Sequence, residues 1–163
     1  MTWEPTPGDA PAHVTLLSPL RDAKAWLRAR LLDGAPCPLC DQHAQMYRRK
    51  ITSTMARALI AAWTKAGIDW VHLPSVVGAL RADEAKLAYW GLIEEERSIR
   101  EDGGRAGYWR VTDAGVDFVH GRLKVPKFAL VYNGRCFGHE GDQVSIEDCL
   151  GQRFRLDELL NGG

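Results

Sequence analysis

The sequence has no net charge to bind a polyanion with: 21 lysines and arginines offset 21 aspartates and glutamates over 163 residues. A protein that coats nucleic acid by bulk electrostatics would be strongly basic, so any such partner must meet a local cluster. The chain also lacks an apolar run near the ~20 residues that span a bilayer, and no membrane association is expected. Its start, Met1-Thr2-Trp3-Glu4-Pro5, has no basic segment leading into an apolar one. No secretory signal is read there, and a cytoplasmic protein is expected. The G-x-S-x-G, phosphate-loop, H-E-x-x-H, dinucleotide and deaminase patterns are all missing. The five histidines (His13, His43, His72, His120 and His139) are scattered, outside any nucleophile or acid–base arrangement. The reading is therefore not an enzyme. Cysteine is scarce, four residues in all, and a cytosolic chain does not use them as structural disulfides.

What is present is ordinary for a globular protein, with 45% apolar and 26% charged residues. A chain of this length makes one domain, with room for a small appendage, and buries roughly 68–70% of its unfolded surface. Charge is distributed unevenly. From Ala44 to Arg81 the cations Arg48, Arg49, Lys50, Arg57, Lys65 and Arg81 face the single acid Asp69, whereas acids outnumber bases from Arg135 onward.

Four segments follow from the punctuation of the chain. Residues 1–17 are rich in Pro and Thr without periodicity and read as a flexible tail. Residues 18–52 open at Ser18-Pro19 with a helix whose stripe is Leu20, Ala23, Leu27 and Leu31, stopped by Gly34. The tight knuckle Pro36-Cys37-Pro38-Leu39-Cys40 comes next. Residues 53–122 hold three helices. The first is capped by Ser53 or Thr54 and faces the core with Met55, Leu59, Ile60 and Trp63; the second starts near Pro74; the third runs from Asp83 to Trp90. A strand at Leu92-Ile93, the tip Asp102-Gly103-Gly104 and a return at Tyr108-Trp109-Arg110-Val111 make a hairpin, and Thr112 caps a further helix. Residues 123–163 carry a second hairpin turning at Asn133-Gly134, a capping box at Ser145-Ile146-Glu147-Asp148, and a last amphipathic segment through Leu159 and Leu160. The fold class read from this order is α+β, mainly α.

Gly91-Leu92-Ile93, Gly103-Gly104-Arg105 and Val111-Thr112-Asp113-Ala114-Gly115 together resemble a MarR-like winged helix-turn-helix protein over about Ser53 to Arg122. With its Cys-Pro-x-Cys knuckle ahead of the core, the chain is also similar to small winged-helix proteins carried by bacteria and their phages. The resemblance implies a small dimeric transcriptional regulator that binds double-stranded DNA. Its third helix would lie in the major groove and its wing on the minor groove or backbone. If Leu80, Leu87 and Trp90 or Leu92 face inward, Glu84, Ala85, Lys86, Ala88 and Tyr89 face outward. Lys86 is then the donor to base or phosphate and Tyr89 a phosphate contact. Arg97, Arg100 and Arg105 sit on the wing, while Arg48, Arg49 and Lys50 lie just before the first core helix, placed to clamp flanking backbone. Another reading stands beside this one. Asp83-Glu84 opens the third helix where carboxylates would face phosphates, and Arg97 and Arg100 have acidic neighbours to pair with. A winged helix used as a protein-interaction module, in a phage or defence setting, fits both facts. Surplus apolar residues (Trp26, Leu31, Leu32, Leu159, Leu160) suit either a homodimer contact or cover for the chain's own core.

Cys37-x-x-Cys40 has the spacing at which a tight turn aims two thiolates at one zinc ion. Two further ligands are needed, with His43, Cys136, His139 and Cys149 as candidates; Cys136 and His139 have the same spacing and would complete a structural Cys3His set, provided Gly138 bends a strand that otherwise points them to opposite faces. A plain turn with reduced thiols and a redox switch are the other two readings of the knuckle. Cys149 reads as a core residue.

Overall fold

In the computed structural model, which describes residues 11–78, 83–96 and 107–161, helices and strands are mixed throughout. The expected predominance of helix gives way to a mixed α/β chain. Three sheets run through the described residues, built from β1 (Ala35–Pro36), β2 (His43–Ala44), β3 (Tyr47–Lys50), β4 (Val71–His72), β5 (Ile93–Glu95), β6 (Tyr108–Val111), β7 (Val125–Tyr132) and β8 (Arg135–Val144) in the orders β1-β2, β3-β7-β8 and β4-β6-β5. The strands missed in the sequence are short or exposed: β3 (Tyr47–Lys50) is four exposed residues, and β4 (Val71–His72) is a pair. Neither shows the apolar alternation by which strands are read. The chain forms two compact units, Met1–Arg49 with Leu130–His139, and Lys50–Ala129 with Glu140–Gly163. This division does not follow the linear segments read from the sequence. Among the described residues no helix is long and apolar enough to cross a membrane.

In the first unit, α1 (Leu20–Arg28) starts after Pro19, whose φ of −55° is already set for a helix. Ser18 does not cap it; its hydroxyl accepts the Thr15 N–H at 2.9 Å instead. Gly34 takes a φ of +84°, a conformation open to glycine at little cost, and its N–H reaches the Arg30 carbonyl at 2.8 Å. The strands β1 (Ala35–Pro36) and β2 (His43–Ala44) then pair antiparallel, Ala35 against Ala44, with the knuckle between them. Leu31, Ala44 and Met46 are buried, and Leu27, Leu130, Tyr132 and Phe137 close over them.

The second unit is built around α2 (Ser53–Ala66), which packs against α3 (Leu73–Val77), a 3-10 helix at Glu84–Trp90, and the helices α4 (Asp113–Val119), α5 (Ile146–Leu150) and α6 (Leu156–Leu160). Its cap is Thr52, not Ser53 or Thr54. Thr52 is the last extended residue (φ −116°, ψ 164°), and its hydroxyl accepts the Met55 N–H at 3.3 Å. The 3-10 form of Glu84–Trp90 follows from its two buried anchors. Leu87 and Trp90 are three residues apart, and three residues per turn stack them on one line. Gly91, at φ +68°, ends the segment in the left-handed region.

A hairpin follows. β5 (Ile93–Glu95) pairs with β6 (Tyr108–Val111), Ile93 opposite Val111, and β4 lies along the other edge of β6, Val71 opposite Trp109. Thr112 joins this hairpin to α4. Its hydroxyl accepts the Gly115 N–H at 3.1 Å and donates to the Gly91 carbonyl at 2.6 Å, while its own N–H reaches the Leu92 carbonyl at 3.1 Å. Trp90 adds a long-range tie by donating from Nε1 to the Pro126 carbonyl at 2.7 Å.

The second hairpin, β7 (Val125–Tyr132) and β8 (Arg135–Val144), turns at Asn133 and Gly134, both with positive φ as the favoured two-residue turn requires. The capping box before α5 forms as expected, with Asp148 accepting the Ser145 N–H at 2.8 Å and Ser145 accepting the Asp148 N–H at 3.1 Å. The Ser145 backbone N–H and then its hydroxyl hold the Asp148 carboxyl below the usual carboxylate range. The bond is thus complete at neutral pH and is lost as pH falls through that lowered value.

Candidate functional site

The residues singled out for DNA contact fall into three groups. Arg48 and Arg49 stand exposed on β3, and the Arg49 guanidinium lies over the Tyr47 ring at 5.3 Å. Lys50, also exposed, lines a 510 Å³ cavity at the start of α2 together with Lys127, Thr52, Ser53, Asp148 and Cys149. The α2 first turn has no acidic residue, so its amide dipoles and the two lysines face the single Asp148 carboxylate there.

Lys86 and Tyr89 sit on the 3-10 helix, but neither stands fully outward. Both are half-buried, whereas Ala85 and Ala88 are the exposed residues of that segment. The Lys86 ammonium is bonded to the Asp83 carboxylate three residues earlier. The sequence expectation of a free outward donor is corrected in that respect. Asp83 stands just ahead of the helix as its N-cap, three residues before Lys86, and its carboxylate reaches back over the first turn to the ammonium. Arg97, Arg100 and Arg105 lie outside the described residues.

Arg110 on β6 is a cation the sequence reading passed over. It pairs with the Glu94 carboxylate across the hairpin and lies over the Trp70 ring at 4.8 Å. Cross-strand register explains the pair, since Glu94 is directly opposite Arg110. Glu95 is exposed on the same hairpin stem. A second cavity, of 660 Å³, opens beside α2 and α3 and is lined by Arg57, Lys65, Thr64, His72 and Ser75 over an apolar floor that includes Ile60 and Val71. The Arg57 guanidinium stacks on Phe154 at 4.2 Å, and its Nε is buried with no hydrogen-bond partner.

All four cysteines are free thiols. In the knuckle, Cys40 is exposed and Cys37 half-buried. The Leu39 backbone N–H, helped by the N–H and thiol of Cys40, holds the Cys37 thiol below its ordinary range. Cys136 Sγ comes within 3.7 Å of His139 Nε2 and donates to the Gly138 carbonyl at 3.2 Å, so these two residues of one strand do meet. Among the described residues, however, no three His, Cys, Asp or Glu side chains gather where they could hold a metal ion. The pairs Cys37–Cys40 and Cys136–His139 are not brought into one set.

Cys149 is the opposite case. Burial first, then the neighbouring Asp148 carboxylate, push its thiol up to about 11. At pH 8 almost none of it is thiolate, and a disulfide reagent is expected to label Cys37 and Cys40 well before Cys149 in the native protein. Peptide mapping of partly labelled protein checks the order, and early labelling of Cys149 would contradict its burial.

No known protein family, curated protein or solved structure matches this chain.

Proposed function

We propose that the Lys50–Ala129 and Glu140–Gly163 unit is a winged helix-turn-helix domain that binds duplex DNA, and that the chain is a small cytoplasmic transcriptional regulator. The observation that carries this reading is the order of the small sheet. The chain runs α2, β4, α3, the 3-10 helix, β5 and β6, and β6, the last strand made, pairs between β4 and β5. That connectivity supports reading three helices as the core and the hairpin as its wing, since the third helical segment leads directly into β5. Lys86 and Tyr89 on the 3-10 helix are the proposed contacts within the described residues. The wing arginines Arg97, Arg100 and Arg105 would add contacts to backbone or minor groove.

The expected result is a mobility shift with random duplex DNA at low salt that weakens steeply as salt rises. Three phosphate contacts give about a 40-fold loss of affinity between 50 and 200 mM. Lys86→Ala and Arg105→Ala should each weaken binding several-fold and make the salt dependence shallower. If duplex DNA is not retarded even at the lowest salt, the regulator reading fails.

A second reading has its own support. The Lys86 ammonium is engaged by Asp83, and the hairpin stem presents an exposed Glu95 beside the Glu94–Arg110 pair. Those carboxylates suit a protein partner better than a phosphate backbone, and a salt-independent failure to bind DNA would favour such a docking module.

A further inference from the structure

The tip of the β1–β2 hairpin presents two thiols without further ligands. Every cysteine and histidine of the chain lies among the described residues. No third His, Cys, Asp or Glu among those residues joins the knuckle pair at metal-binding reach. Cys136 and His139 meet each other, and Cys136 already donates to a backbone carbonyl. The Cys37–Cys40 pair therefore supplies two ligands, whereas a structural zinc site takes four in a tetrahedron.

The turn itself is already ordered. The Cys37 N–H reaches the Gln42 carbonyl at 2.8 Å, and the Asp41 N–H returns to the Cys37 carbonyl at 2.9 Å. Pro36 and Pro38 fix their own φ angles, and Asp41 takes the left-handed conformation (φ +57°) that closes the loop. Cys40 is exposed, and between the two cysteines Leu39 is 54% exposed, an apolar side chain at the apex with nothing over it. A second tip of the same kind would supply the two missing sulfurs and cover Leu39 at once.

We propose that the knuckle is half of a tetrathiolate zinc site, completed by the knuckle of a second copy of this chain. On binding, each of the thiols releases its proton to solvent and donates a sulfur lone pair to the metal, at about 2.3 Å, with no change of oxidation state. The site makes metal and self-association one event, and it holds whether or not the chain binds DNA.

The test uses the full chain, reduced and titrated with zinc. One zinc per two chains is expected, together with a doubling of mass by light scattering that a chelator reverses. Cobalt substitution should give the d–d absorption of a tetrahedral site with only sulfur ligands. Cys37→Ser and Cys40→Ser should abolish both zinc uptake and mass doubling, while Cys136→Ser and His139→Ala should leave both intact. One zinc per monomeric chain, loss of metal in Cys136→Ser or His139→Ala, or no zinc uptake by the reduced chain would each overturn the proposal.

Discussion

Gly115→Ala is expected to unfold the second unit or leave it barely stable, by about 3 kcal/mol or more. A Cβ at this position would stand 2.1 Å from the Leu92 carbonyl oxygen and 2.7 Å from Val111 Cγ1. The first contact is with backbone, so no rotamer change relieves it. That backbone is also committed, because the Leu92 carbonyl accepts the Thr112 N–H and the Gly91 carbonyl accepts the Thr112 hydroxyl. Moving Leu92 aside therefore breaks the junction that caps α4 and holds the entry of the β5–β6 hairpin. Denaturant unfolding followed by tryptophan fluorescence reads the effect. A midpoint within error of the wild type would show that the close approach of α4 to Leu92 is not as described.

Phe118→Ala is the second large effect. Phe118 is fully buried on α4, which packs against α2 and β6. Truncation loses the transfer energy of a phenyl ring and leaves a cavity, about 3–5 kcal/mol together. For a chain of this length each kcal/mol is worth roughly 2–4 °C in Tm, so a fall of about 6–20 °C is expected by calorimetry. Phe118→Leu keeps most of the volume and should cost clearly less. Equal losses for the two variants would mean that something other than packing volume is being measured.

The parts of the fold that were legible are those set by a few adjacent residues. Thr112 and Gly115, Asn133-Gly134 and the Ser145–Asp148 box each satisfy their own backbone groups locally, so their meaning survives without knowledge of neighbours. The buried positions Leu87, Trp90 and Leu92 were likewise readable from apolar spacing. What was not legible depends on partners far along the chain. Tyr47–Lys50 is a strand although its sequence is polar and exposed, because sheet pairing and not side-chain alternation makes it one. The helical projection of Asp83–Trp90 left Lys86 a free donor because periodicity does not say that the Asp83 carboxylate, at the N-cap, takes its ammonium. The site was harder still: spacing alone proposed one Cys3His set, but spacing along two separate turns does not bring their thiols together.

The two bodies of the chain have a consequence for how it can be made. Residues 130–139 fold with the N-terminal body, while their flanks belong to the other. Neither body is thus encoded by an uninterrupted stretch, and neither can be moved as a cassette into another gene. During synthesis on the ribosome, Leu31 and Met46 must wait for Leu130, Tyr132 and Phe137 to emerge before their cluster can close. Through that interval the nascent chain shows an apolar surface that the finished molecule hides.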